Sequence, residues 1–224
     1  MTVSIAHYSD ILCVWAYIAQ IRIDQLREEF AADIELDYHF CQVFGDTATK
    51  IGQGWQDRGG FQAYSRHVLS LHEKYSHVAI HPEIWTRNVP HSSLPIHLAL
   101  RAADLVLEEE GRPDRADVFA ALIWRMRTAF FVDLIDIGQH SCQLEVMEEL
   151  NLAPALVEAK MNNGEAFARL SRDFERTLTN HINVSPTLLF NEGRQHLIGN
   201  VGFRIIEANV RELLRHSTAE LSWC

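Results

Sequence analysis

Cysteine is scarce in this chain and widely spaced: Cys13, Cys41, Cys142 and Cys224 are the only four in 224 residues. That spacing excludes a disulfide framework and suits reduced thiols, so the expected compartment is the cytoplasm. Basic charge is also in short supply. Twenty Lys and Arg stand against 30 Asp and Glu, a formal net charge of −10, which removes the electrostatic footprint that a nucleic-acid partner requires. No apolar run approaches the roughly 18 residues of a membrane span. Residues 1–7 have no basic segment leading into a long apolar stretch, so no secretory signal is expected. The 12 histidines lack the His-Glu-x-x-His spacing of a metal site. His77 and His81 would share one face of a strand, but no third ligand follows them, and no metal is expected. There is neither an internal repeat nor a low-complexity segment.

What is present is 47% hydrophobic residues, enough at this length for a full core in one large domain or two small ones. Residues 2–8 alternate Val3, Ile5 and His7 with Ser4, Ala6 and Tyr8, the period of a strand. From Tyr17 onward, Ile18, Ile21, Leu26 and Phe30 follow helical spacing. The β-branched and aromatic run from Ile34 to Phe44 reads as a second strand. Such a βαβ unit is parallel with a right-handed crossover, and its functional groups gather at the carboxyl ends of the strands. Cys13 follows the first strand and Cys41 lies near the end of the second, so the two are expected at one sheet edge.

From Gly45 to about His181 the pattern is helical. Ser93, with Pro95 in the first turn, predicts one helix start, Asp114 caps another, and shorter runs cover 142–150, 153–160 and 163–179, the last capped by Asn163. Residues 46–60, with glycines around Trp55 and Asp57, read as a long loop, equally suited to the active edge or to a mobile surface. Thr187–Asn191 and Gln195–Ile198 form a hairpin about Asn191-Glu192-Gly193, and Phe203–Leu214 is the final amphipathic helix. The order is β-α-β, a helical insertion, then β-β-α.

The chemistry is expected at Cys13-Val14-Trp15-Ala16. A thiol at a strand-to-helix junction meets unpaired backbone N–H groups and the positive end of the helix dipole, which favour the nucleophilic thiolate. The same four residues read as a Cys-x-x-Cys motif whose second cysteine has become Ala16. A mixed disulfide formed on Cys13 then lacks a resolving thiol within the motif and waits for an external one such as glutathione.

This order of elements, with Ser185-Pro186-Thr187 opening the third strand, resembles the DsbA-like branch of the thioredoxin superfamily over nearly the whole chain. Ser9-Asp10-Ile11-Leu12-Cys13-Val14-Trp15-Ala16-Tyr17 resembles that family's Asp-x-x-Cys-Pro-Trp-Cys-Tyr form, with Val14 in place of proline. Ala129-Phe130-Phe131, Asp136-Ile137 and 144–150 resemble its helical insertion. Gly199-Asn200 resembles the place where kappa-class glutathione transferases and 2-hydroxychromene-2-carboxylate isomerases hold a glutathione carboxylate, although Asn200-Val201 stand where those relatives carry an acidic residue and an arginine.

The resemblance implies an α/β thioredoxin fold built from 1–44 and 179–224, with an all-helical insertion over 45–178. It implies a cis Ser185–Pro186 bond packed against the thiol. The expected function is thiol–disulfide exchange through Cys13, with Trp15, Tyr17, Ser185, Pro186, Gly199 and Asn200 around substrate or glutathione. Cys41 reads first as a core residue and otherwise as the best substitute resolving thiol. No tightly bound cofactor is implied. Glutathione enters as a co-substrate, and the transferases suggest a homodimer. The rival readings are a glutathione-dependent isomerase or transferase, in which position 13 activates bound glutathione without a covalent bond, and a non-catalytic binding module. Arg125 and Arg127, near Phe130, either hold an acidic substrate group or, more commonly, pair with neighbouring carboxylates.

Overall fold

The alternation of Val3 and Ile5 with Ser4 does produce the first strand. In the computed structural model, which describes residues 2–215, β1 covers Val3–Ser9 and β2 covers Ile34–Phe40, with α1, Val14–Phe30, between them. β3, Thr187–Phe190, and β4, Gln195–Ile198, follow the helical block, and α8, Phe203–Arg215, ends the described chain. The sheet order is β2-β1-β3-β4. β1 and β2 run parallel, paired from Val3↔Ile34 to Ser9↔Phe40, and the other two pairings are antiparallel. This is an α/β thioredoxin-like fold with a large helical insertion. Val3, Ile5, Ile18, Ile23, Leu26 and Phe30 share one core, each worth about 1.5–3 kcal/mol when fully buried.

The insertion consists of α2 (Gly60–Lys74), α3 (Leu94–Glu109), α4 (Arg115–Phe131), α5 (His140–Glu149), α6 (Pro154–Asn162) and α7 (Glu165–Thr179). It is fastened to the sheet by a buried ion cluster. Arg101 on α3 grips Asp173 on α7 through Nε and a terminal nitrogen, at 2.7 and 2.8 Å, and also donates to Asp104 at 3.2 Å and to the Tyr38 carbonyl at 2.5 Å. His39 on β2 meets Asp173 through Nδ1 at 2.9 Å and Asp37 through Nε2 at 3.1 Å. Burial works against the Asp173 carboxylate, but the His39 hydrogen bond and the Arg101 charge outweigh it and hold the carboxyl below its ordinary range. Among the described residues no helix is long and apolar enough to cross a membrane.

Several local expectations are corrected. α1 begins at Val14 rather than near Tyr17, because the Tyr17 N–H already bonds the Cys13 carbonyl at 3.1 Å. β2 stops at Phe40, and Phe44 turns into an aromatic stack with Trp85. Residues 46–60 are no plain loop. They form a π-type turn over Ala48–Gln53 and a 3-10 turn over Gln56–Arg58, anchored by buried Ile51 and by Trp55 edge-on to Tyr64. His77 and His81 are not on a strand. His77 Nε2 lies 2.9 Å from the Ile18 carbonyl, whereas His81 Nδ1 accepts from the Glu83 N–H. The start of α7 is capped by Gly164 at φ 90°, a left-handed position that glycine adopts freely, with Asn163 bonding the Glu165 N–H from one residue further back.

Candidate active site

Cys13 is the residue before the first turn of α1, in extended conformation. Its N–H donates to the Asp10 carbonyl at 3.1 Å, and its Sγ donates to the Ser185 carbonyl at 3.2 Å. The Ser185–Pro186 bond is cis. The Ser185 hydroxyl oxygen accepts the Asp10 N–H at 2.9 Å, and the Pro186 carbonyl accepts the Gly199 N–H at 2.8 Å. Two segments far apart in sequence therefore meet at the thiol: the β1–α1 turn and the approach to β3.

Beneath them lies Asp10, fully buried. Its Oδ1 accepts the Leu12 N–H at 3.0 Å, and its Oδ2 accepts the Phe44 N–H and the Ser93 hydroxyl, both at 2.8 Å. Ser93 stands at the cap position of α3 but gives its hydroxyl to Asp10 instead of its own helix. Burial pushes the Asp10 carboxyl up to about 6, against the pull of these three hydrogen bonds. His97 on α3 accepts the Ile11 N–H through Nε2 at 3.2 Å, and burial drives its pKa down to about 3, so its ring is neutral.

The expected thiolate is corrected here. Burial raises the Cys13 pKa and Asp10 adds to the rise. The Ser185 side chain and the backbone N–H groups of Ala16 and Trp15 act in the opposite direction without prevailing. The bond to the Ser185 carbonyl likewise requires the protonated thiol, since only S–H can donate. Burial and this bond both favour the neutral thiol.

Sequence reasoning passed over Tyr64 and Arg22 and left two roles open for Arg127. Arg127 on α4 is fully buried, donating to Gln20 Oε1 at 2.6 Å and Ser9 Oγ at 2.9 Å, with its Nε unpartnered. Burial lowers its pKa to about 10, against smaller opposing influences from Cys13, Tyr38 and Asp10. Arg125 and Arg127 thus part company. Two residues apart on a helix they point about 200° from one another, and Arg125 pairs with Glu149 and Asp133 at the surface. Tyr64 on α2 faces the thiol from the insertion: burial chiefly, then the charges of Cys13 and Asp10, raise its pKa. Arg22 on α1 hydrogen-bonds Asn200 and lines a narrow cleft with Pro186, Gly199 and His7. An arginine two turns down the helix from a thiol carries no sequence signal of its own.

The other candidate residues divide. Ser185 hydrogen-bonds Cys13, Pro186 follows it and accepts the Gly199 N–H, and Asn200 follows at the Gly199 turn. Trp15 is half-buried, edge-on to Tyr75. Tyr17 turns into the core, stacked between Trp124 and Phe131 with its hydroxyl donated to the Ala79 carbonyl, and so does not border a substrate groove. Cys41 is buried just past β2, its N–H bonded to the Ser9 carbonyl at 3.2 Å. Cys142 lies in α5, and Cys224 falls outside the described residues.

No protein-family model matches the sequence, and no curated protein sequence does. Solved structures do match in fold. A candidate protein disulfide isomerase from Nitrosomonas europaea superposes with a TM-score of 0.75 at 15% identity, covering 97% of this chain and 100% of its own. The cytosolic disulfide reductase DsbM from Pseudomonas aeruginosa gives 0.67 at 18% identity, covering 93% of this chain and 99% of its own, and it has also been crystallised with GSH. A 2-hydroxychromene-2-carboxylate isomerase gives 0.63 at 14% identity, covering 96% and 97%. With a mixed four-stranded sheet, a thiol at the first strand-to-helix junction and six helices inserted between β2 and β3, the chain has the thioredoxin-type fold of the DsbA-like proteins.

Proposed function

We propose that the protein catalyses thiol–disulfide exchange, with Cys13 as the attacking sulfur and glutathione or its disulfide as reaction partner. The observation that carries this reading is the position of Cys13 Sγ, at the start of α1 and 3.2 Å from the carbonyl that precedes Pro186. On approach of a disulfide, Cys13 gives up its proton and attacks one sulfur. The old S–S bond breaks, a mixed disulfide forms, and the leaving thiolate takes up the proton. The N–H groups of Trp15 and Ala16 support the transient negative charge. Extended substrate beside Pro186 adds backbone pairing, in the manner of an edge strand. Arg22, held by Asn200 next to Pro186 and Gly199, supplies a cation for a glutathione carboxylate where the resemblance left only Asn200-Val201.

Because Cys13 rests protonated, exchange is expected to be slow at neutral pH and to accelerate as pH rises. The test is incubation of reduced protein with oxidised glutathione, followed by intact-mass and peptide mapping. Modification begins at Cys13 and disappears in Cys13→Ser; a Cys13→Ser variant that reacts as the wild type does would end this reading.

The neutral thiol favours one second reading, a glutathione-dependent isomerase of the 2-hydroxychromene-2-carboxylate type. There the Cys13 S–H would hydrogen-bond the sulfur of bound glutathione without forming a bond to it. Reversible binding of glutathione by wild type and Cys13→Ser with equal affinity, and no adduct on Cys13, would select it.

A further inference from the structure

Resting on the exchange chemistry proposed for Cys13, we infer that Cys41 is its internal resolving thiol, so that the pair closes a Cys13–Cys41 disulfide beside Ser185. The motif's own second position cannot serve, because Ala16 has no sulfur. The end of β1 brings up another. The Cys41 N–H is bonded to the Ser9 carbonyl at 3.2 Å and the Cys13 N–H to the Asp10 carbonyl at 3.1 Å. Ser9 and Asp10 are consecutive, with Cα atoms about 3.8 Å apart, so the two cysteine backbones hang from neighbouring peptide groups.

Ser185 stands against both thiols. Its carbonyl accepts the Cys13 S–H, and its side chain acts on Cys41 to lower that thiol's pKa. Both sulfurs are shut away from solvent, at 4% and 3% residue exposure, so a mixed disulfide on Cys13 would meet Cys41 before it met a second glutathione. Burial, then the Asp10 and Cys13 charges, holds the Cys41 thiol well above its ordinary range. Cys142, on α5, has no comparable setting.

The steps balance with glutathione disulfide as the oxidant. Cys13 loses its proton and attacks one sulfur of the oxidant; the S–S bond of the oxidant breaks, a bond from Cys13 to glutathione forms, and the first glutathione leaves as a thiol carrying that proton. Cys41 then loses its proton and attacks Cys13 Sγ. The bond to glutathione breaks and the second glutathione leaves protonated. Two cysteine thiols are oxidised by two electrons and one glutathione disulfide is reduced to two glutathione molecules. A disulfide requires Cα atoms within about 7 Å, a spacing that the consecutive anchors Ser9 and Asp10 favour.

The experiment treats reduced full-length wild type, Cys41→Ser and Cys142→Ser with oxidised glutathione across neutral to alkaline pH, quenches with acid, and reads intact mass and linked peptides. Wild type and Cys142→Ser are expected to lose two hydrogens and yield a Cys13–Cys41 linked peptide, with the glutathione adduct only transient. Cys41→Ser is expected to lose the linked peptide entirely and accumulate glutathione on Cys13. A persistent Cys13 adduct in wild type, with Cys41 free, overturns this inference and leaves the exchange reading standing. No modification of Cys13 in wild type or in Cys41→Ser overturns both. Since the wild-type linkage is read directly, a folding defect in Cys41→Ser does not shield the inference.

Discussion

The ion cluster around Asp173 is tied to β2 at Phe40 and the floor of the thiol site to the turn after it at Phe44, yet the two handle buried charge in opposite ways. In the first, each charge meets its opposite: Asp173 holds Arg101 and His39, and Arg101 also reaches Asp104. In the second, Asp10 is satisfied by two backbone N–H groups and a hydroxyl, and Arg127 by a side-chain amide and a hydroxyl. Among the described residues the one ion-pair-range neighbour of Asp10 is His97, 3.8 Å away and neutral, and the Arg127 charge acts on Asp10 from further off. A buried charge without a counter-charge costs several kcal/mol. The paired cluster fastens the insertion to the sheet, whereas the under-compensated one sets the field in which a thiol must ionise.

That contrast can be broken by substitution. Asp173→Asn leaves Arg101 and His39 without their anion, and is expected to lower stability by about 3–5 kcal/mol in denaturant unfolding, with the pH profile of Cys13 alkylation unmoved. A shifted profile would mean that the two regions are one electrostatic unit. Asp10→Asn should do the reverse, moving the iodoacetamide profile of Cys13 to lower pH by removing a like charge.

Asp10→Asn also changes the pH dependence of stability. The Asp10 pKa in the folded protein, about 6, lies above the ordinary 3.8, so between these values the folded state holds more protons than the unfolded state. Its contribution to stability is therefore present at low pH and is lost as pH rises toward 6, on the order of 3 kcal/mol in full. In Asp10→Asn this fall disappears; an unchanged slope between pH 4 and 6 would show that Asp10 is ionised without penalty. The smallest effect is expected from Arg22→Met, which removes the cation but keeps the stem. Glutathione should bind roughly tenfold more weakly, about 1.4 kcal/mol, by calorimetry on Cys13→Ser, with stability preserved.

Much of the fold was legible from local pattern, because strand alternation and helical stripes are properties of neighbouring residues. The place of Cys13 was legible for the same reason. Its electrostatics were not. The donors to Asp10 come from Phe44 and Ser93, 34 and 83 positions away, and the acceptors of Arg127 from 107 and 118 positions away. A helix start argues for a thiolate, and only the packed surroundings reveal that desolvation wins. Tyr17 misled in the opposite sense: an aromatic residue beside a thiol suggests a groove, but Trp124 and Phe131 complete a stack that no local pattern announces.

The contact between Cys13 and Ser185 spans 172 positions of the chain, and this has a consequence for the protein while it is being made. The sulfur is synthesised 172 residues ahead of its cover. Until β3 pairs with β1, neither the Ser185 carbonyl nor its hydroxyl is in place, and the burial that holds the thiol protonated is incomplete. Over that stretch of synthesis the chain therefore carries an ordinary exposed cysteine. Guarded reactivity is acquired only when the closing hairpin docks.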